Sequence, residues 1–356
     1  MGIGSVLLTL LVTLLVFGIL IFIHELGHYL VARKFGVGIT EFSIGMGPAL
    51  KTWHGKYNDF SIRALPIGGF VNMVGEYDDE IPPEFAGKTP LNSKPVWQRM
   101  LIVLAGPFMN LLLAFILMAV IVIASGTMGT TVVAQFKDDS VSDSCGLSIG
   151  DEIIEINGKT IHCYTEMAYK IVSDGVEPMQ ITVLRDGNEI VLNDVTFGTE
   201  LEDGKINIGV QDFLVYAKDY TFGNVIYESF WQAASTVYMT VDSLVDTLRG
   251  RYGIDAVGGP IAVGGQVGEM IEQSADFGEG VRNIATLTVF ISVSLGVANL
   301  LPLPVLDGGR FLLYVIEAVR RKPLPRKVEQ AIMTACTVLL FGLVIFVAIK
   351  DFIGLF

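Results

Sequence analysis

Leu20-Ile21-Phe22-Ile23-His24-Glu25-Leu26-Gly27-His28-Tyr29-Leu30 sets two histidines and a carboxylate inside an otherwise apolar run. The run starts at Val6, and no Lys or Arg precedes Arg33. A helix rising ~1.5 Å per residue needs about 20 such residues to cross ~30 Å of hydrocarbon, so the segment reads as a membrane span. A cleavable leader would carry a basic start, a shorter apolar stretch and a small-residue cleavage site. The segment has none of these and is expected to be retained. His24 and His28, four apart, share one helical face. Two imidazoles so placed can bind one zinc ion, and the intervening Glu25 can act on a zinc-bound water. An ionisable group at this depth costs roughly 2.5 kcal/mol or more. A metal site accounts for that cost better than a chance pentapeptide or a helix-end cap.

Outward from this motif, three further apolar runs of about span length follow at Met100–Ala124, Ile284–Leu306 and Ala331–Ile349, in a chain that is 51% hydrophobic. Charge is divided unevenly among the segments between them. Residues 127–281 hold 25 Asp and Glu against 8 Lys and Arg, a balance of -17, while the rest of the chain balances at +4, summing to the net -13. The basic residues gather between Arg33 and Arg99 and in Arg320, Arg321, Lys322, Arg326 and Lys327. Basic loops stay in the cytoplasm, so the acidic segment and both termini are expected outside. A nucleic-acid-binding face is excluded, because the one large polar part is strongly acidic.

Residues 36–76 are rich in glycine and in strand-like alternation and read as β-hairpins against the membrane. Gly106, Pro107 and Asn110 interrupt the second apolar run, which suggests packing against protein rather than lipid. The expected division is 1–126 for the first two spans with the β region and 127–215 for a small β-rich domain. Residues 216–280 form an amphipathic linker, and 281–356 the last two spans. In the linker, Phe222, Ile226, Phe230, Ala233, Val237 and Val241 share a helical face, which would suit a membrane surface or a lever. Cys145 and Cys163 lie in the acidic segment without a CxxC spacing, and free thiols are expected.

A catalytic zinc needs a third protein ligand and an open position. His54 lies in a polar turn and His162 in the acidic segment, so neither suits. The third apolar run ends in Asn299-Leu300-Leu301-Pro302-Leu303-Pro304-Val305-Leu306-Asp307-Gly308-Gly309. Its prolines would break the helix and present Asp307 at the depth of His24. An Asp that merely caps the next helical turn is the other reading.

These two segments, HELGH and NLLPLPVLDGG, are similar to the paired signatures of the site-2 protease family of intramembrane zinc metalloproteases. FSIGMGPAL, LPIGGFVNM, WQRMLIVLAGPFMN and VGGPIAV resemble family segments in the same order. DSCGLSIGDEIIEINGK resembles the core of a PDZ domain, as in the bacterial RseP/RasP-like branch, with one such unit here where some relatives have two. The resemblance implies a polytopic α-helical membrane protein with four transmembrane helices, a membrane-associated β-hairpin region and an extracytoplasmic PDZ-like α+β domain. It implies Zn2+ held by His24, His28 and Asp307, with Glu25 as general base. It implies that Asn299 holds the substrate backbone and that Gly68, Gly69 and Phe70 belong to a β element pairing with substrate. Substrates would be single-pass transmembrane proteins such as anti-sigma factors, and remnant signal peptides, cut within the lipid bilayer. The alternative is an inactive relative acting as a membrane-bound regulator. A transporter with a buried acid–histidine site fits poorly, since the halves show no repeat.

Overall fold

The computed structural model describes residues 3–76, 89–202, 206–250, 260–322 and 325–353. It divides into two compact units, residues 1–114 with 253–356, and residues 115–252.

In the first unit, helix α1 (Ile3–Lys34) carries Arg33 and Lys34 in its last turn, where cations favour the negative end of the helix dipole. It stops in a Schellman turn. Gly36 has φ +71°, its N–H reaches the Arg33 carbonyl at 3.0 Å, and Val37 N–H reaches the Ala32 carbonyl at 2.9 Å. Strands β1 (Ile39–His54) and β2 (Asp59–Met73) follow and pair along bent paths. Phe42 pairs with Val71 on one side and Phe60 on the other, and Phe60 also pairs with Trp53. The register therefore orders the segments as 49–54, 59–63, 41–44 and 69–73, with 69–73 at one edge. Ile39, Phe42, Val71 and Met73 pack on Tyr29 and Ala32 of α1. Met46, Leu50, Trp53 and Leu65 at the far end of the hairpin stay exposed, a cost in water that a bilayer removes.

Helix α2 (Val96–Ser125) runs through Pro107 without ending. It approaches α1 closely at Gly27, where a Cβ would stand 2.3 Å from the Ala105 carbonyl oxygen.

The second unit holds β3 (Gly129–Phe136), β4 (Glu152–Ile156), β5 (Lys159–Thr160), α3 (Tyr164–Asp174), β6 (Met179–Arg185), β7 (Asn188–Val195), β8 (Gly198–Glu202), β9 (Ile206–Val210), β10 (Phe213–Ala217) and α4 (Phe222–Leu248). Its main sheet runs β10-β3-β4-β6-β7, with β5 on β4, while β8 and β9 form a separate hairpin. Asp186 (φ 50°) and Gly187 (φ 79°) make the two-residue turn that joins β6 to β7. Met167 and Ile171 of α3 close the core over Ile153, Ile156, Ile181 and Val183, all fully buried. All three cysteines are free.

Helix α4 presents its apolar stripe outward. Phe222, Ile226, Phe230 and Val241 are exposed, Ala233 is buried, and the buried side also carries Glu228, Ser229, Ser235 and Thr236. Polar contacts hold that inner side: the His162 ring stacks on Trp231 at 3.5 Å, and Lys218 pairs with Glu228 at 3.0 Å.

Returning to the first unit, α5 (Pro260–Gln273) packs on α1 and on two later helices, α6 (Phe277–Asn299) and α8 (Arg326–Ile353), and α7 (Asp307–Arg320) lies between those two in the chain. The expected linker thus contains a second helix, α5, which its glycines Gly264, Gly265 and Gly268 disguise in the sequence. The third span sits earlier than the apolar run suggests. It begins at Asp276, whose carboxylate accepts from Glu279 N at 2.8 Å, and ends at Asn299 rather than Leu306. Pro302 and Pro304 lack N–H groups and force the residues before them out of helical geometry. The chain then doubles back to start α7 at Asp307. A Cβ on Gly308 would stand 2.2 Å from the Leu300 carbonyl oxygen, and one on Gly309 2.1 Å from that of Leu303, so this return requires glycine at both. Helices at 4–34, 96–125, 277–299 and 330–347 are long and apolar enough to cross a membrane.

Candidate metal centre

Three side chains from α1 and α7 converge, all in the first unit. His24 and His28 lie one turn apart on α1, their rings nearly perpendicular at 80°. Asp307 opens α7, brought beside them by the glycine-dependent return. Its Oδ2 is 3.1 Å from His24 Nε2 and 3.3 Å from His28 Nε2, and the two Nε2 atoms are 3.3 Å apart. Ligands about 2.0–2.1 Å from a tetrahedral zinc lie roughly 3.3 Å from one another, so the triangle has the dimensions of one face of such a site. Among the described residues this is the one His/Cys/Asp/Glu group with metal-ligand spacing. His54 pairs with Asp59 at the surface and His162 stacks on Trp231, so neither joins it.

The three donors border a cleft of about 590 Å³ that Glu25, Asn299 and Gly68–Met73 also line. Glu25 follows His24 by one residue, which turns its side chain ~100° around the helix. Asn299 is the last residue of α6, and Gly68, Gly69 and Phe70 belong to β2 at the edge of its sheet. Gly69 permits the close approach of this edge to α1, since a Cβ there would stand 3.0 Å from Ile21 Cγ2 and 3.2 Å from Glu25 Cγ.

Helix α2 backs the histidines. His28 Nδ1 lies 2.8 Å from the Ile102 carbonyl oxygen, and His24 Nδ1 lies 3.3 Å from the Asn110 side-chain amide. Gly106 allows this proximity, because a Cβ there would stand 2.3 Å from His28 Nε2. Two ion pairs hold α7. Arg99 of α2 makes hydrogen bonds of 3.0 and 2.6 Å to Glu317, and Arg310 reaches Glu76 just beyond β2 at 2.5 Å. From the sequence alone, Gly106, Ile102, Asn110 and these pairs have no visible role at the centre. The available signal was Asn110 itself, a polar side chain in the middle of an apolar run.

The sequence profile of peptidase family M50 matches residues 12–343. A Clostridium perfringens protein named as a candidate zinc metalloprotease is 33% identical, over 96% of this chain and 97% of its own length. A Rhizobium meliloti protein with the same kind of name is 31% identical, over 95% of this chain and 94% of its own. The Bacillus subtilis protein named regulator of sigma-W protease RasP is 28% identical, over 98% of this chain and 99% of its own. With four helices of spanning length, a histidine–carboxylate cluster at spanning helix α1 and a profile match over most of its length, this membrane protein belongs to peptidase family M50.

Proposed function

We propose that the chain is an intramembrane zinc metalloprotease of the site-2 type, with His24, His28 and Asp307 holding Zn2+ and Glu25 as general base. The observation that carries this reading is the triangle of donors 3.1–3.3 Å on a side, bordering a cleft that also contains Glu25. The donor set of two imidazoles and one carboxylate, bordering an open cleft, is that of a catalytic zinc. Relatives named as zinc metalloproteases support the metal. When bound, zinc polarises the scissile carbonyl and lowers the pKa of a water molecule. Glu25 takes the proton from the attacking water and delivers it to the departing amide nitrogen. A helical substrate must unwind before its backbone is accessible. Edge segment 69–73 offers main-chain N–H and C=O groups to such an extended strand, and the Asn299 amide, across the cleft, positions it.

The substrates we propose are single-pass membrane proteins, anti-sigma factors among them, and remnant signal peptides. The sigma-W regulator among the relatives supports this class. Residues 127–215 then form an extracytoplasmic PDZ-like domain, and the zinc centre lies toward the cytoplasmic side, where the basic loops gather. The open edge of β10, with exposed Leu214 and Tyr216, would suit a peptide added as a strand. Residues 1–126 and 281–356 hold the catalytic spans, and 216–280 connect them to the domain.

Purified protein should hold one zinc per chain. Glu25→Gln should keep the zinc and lose cleavage of a single-pass substrate, whereas His24→Ala should lose both. Zinc bound by the unaltered protein without cleavage of any trimmed single-pass substrate would favour the inactive, regulatory relative instead.

A further inference from the structure

Helix α2 faces the outer nitrogens of both histidines, and the two contacts differ in what they determine. His28 Nδ1 lies 2.8 Å from the Ile102 carbonyl oxygen, which can only accept. That nitrogen therefore carries a proton, and in the neutral imidazole that a metal requires His28 Nε2 keeps its lone pair on the side of Asp307. His24 Nδ1 instead meets the side-chain amide of Asn110, whose nitrogen is placed 3.3 Å away. Asn110 is wholly buried, and its Oδ1 has no hydrogen-bond partner among the described residues. Its main-chain oxygen is occupied by Ser292 Oγ of α6 at 2.8 Å, which anchors this turn of α2 in place.

The oxygen and nitrogen of an amide exchange places by a half-turn, and the two orientations have opposite consequences for His24. With the amide NH2 toward the ring, Nδ1 must accept. The proton then sits on Nε2, and no lone pair faces Asp307. With the amide oxygen toward the ring, Nδ1–H donates and His24 Nε2, 3.3 Å from His28 Nε2, presents a lone pair. Only the second orientation lets both histidines act as ligands.

We infer that Asn110 is a positioning residue whose side-chain oxygen accepts from His24 Nδ1–H and fixes the tautomer in which Nε2 can bind the metal. This rests on the metal centre proposed above. Helix α2 then orients the whole histidine pair, one ring through a main-chain carbonyl and the other through a side chain. Outer partners of this kind change metal affinity by about 10–100-fold when removed.

The test is zinc affinity of the purified full-length protein in detergent, by competition with a chromophoric chelator, alongside thermal melting of the metal-free protein. Asn110→Leu keeps the size and removes the acceptor, and should weaken zinc about 10–100-fold while metal-free melting stays near that of the unaltered protein. Asn110→Asp keeps an acceptor and removes the donor, and should hold zinc within a few-fold of the unaltered protein or more tightly. Zinc binding weaker in Asn110→Asp than in Asn110→Leu would mean that the amide donates to His24 and would overturn the assignment. Unchanged affinity in Asn110→Leu would overturn it as well. Should the leucine variant not fold, Asn110→Asp against the unaltered protein still decides, since the acceptor role requires retained affinity and the donor role requires its loss. His24→Ala separates this from the metal reading: if it binds zinc as tightly as the unaltered protein, the centre lies elsewhere and Asn110 falls with it.

Discussion

Gly106→Ala adds a single methyl group between α2 and the histidine pair. On an ordinary helix the change favours folding, because alanine is the better helix former by about 1 kcal/mol. Here the new Cβ would stand 2.3 Å from His28 Nε2, 2.6 Å from its Cε1 and 2.8 Å from His24 Cε1. Ordinary non-bonded contact is about 3.5 Å, so α2 and the imidazoles must separate by roughly 1 Å. Metal ligands tolerate only about ±0.2 Å, and the displacement is some five times larger. His28 can yield by rotating, but it then leaves the Ile102 carbonyl and loses a hydrogen bond worth about 1 kcal/mol. Either response breaks the donor triangle. We expect zinc affinity, measured by chelator competition, to fall at least about 10–100-fold, and melting temperature to fall despite the better helix propensity. Gly18→Ala in α1 is the control, since a Cβ there meets nothing within 4 Å, and it should leave zinc affinity unchanged. Zinc bound by Gly106→Ala as tightly as by the unaltered protein would refute the placement of α2 against the ligand atoms.

Asp307→Ala should lower zinc occupancy and abolish cleavage, because two imidazoles leave the ion under-coordinated; elemental analysis of the purified variant reads this directly. Lys159 has no hydrogen-bond partner for its ammonium among the described residues, and burial lowers its pKa to about 8 despite Glu166 at 3.9 Å. The unfolded value is about 10.4, so the folded state carries the penalty in full below pH 8 and sheds it as pH rises toward 10.4. Lys159→Met should therefore raise the melting temperature at pH 7, with an advantage that shrinks above pH 8; an advantage independent of pH would count against this account. A cysteine placed at Lys322 should resist membrane-impermeant thiol reagents in intact cells, whereas one placed at exposed Asp186 should react; the reverse pattern would sink the proposed orientation.

What lay open in the sequence was whatever repeats over a few residues. The four-residue step from His24 to His28 sets both rings on one face of any helix, whatever surrounds it. The apolar runs predict spans because length alone decides whether hydrocarbon can be crossed. Expectations weakened wherever the outcome depended on a partner far along the chain. The apolar run through Leu306 hid the end of α6 at Asn299, since composition does not distinguish a helix from the turns that two prolines impose. The stripe on α4 was visible, but not that His162, Lys218 and other polar neighbours would claim the opposite side and leave it exposed. The approach of Asp307 to His24 joins residues far apart in the chain, and it depends on Gly308 and Gly309 clearing the carbonyls of Leu300 and Leu303. Asn110 and Gly106 were legible as oddities in an apolar helix, yet which ring each would meet was set by how closely α1 and α2 pack. Local periodicity determines which face of an element a residue occupies; only packing in three dimensions decides what that face touches, and the donor triangle is made of such contacts.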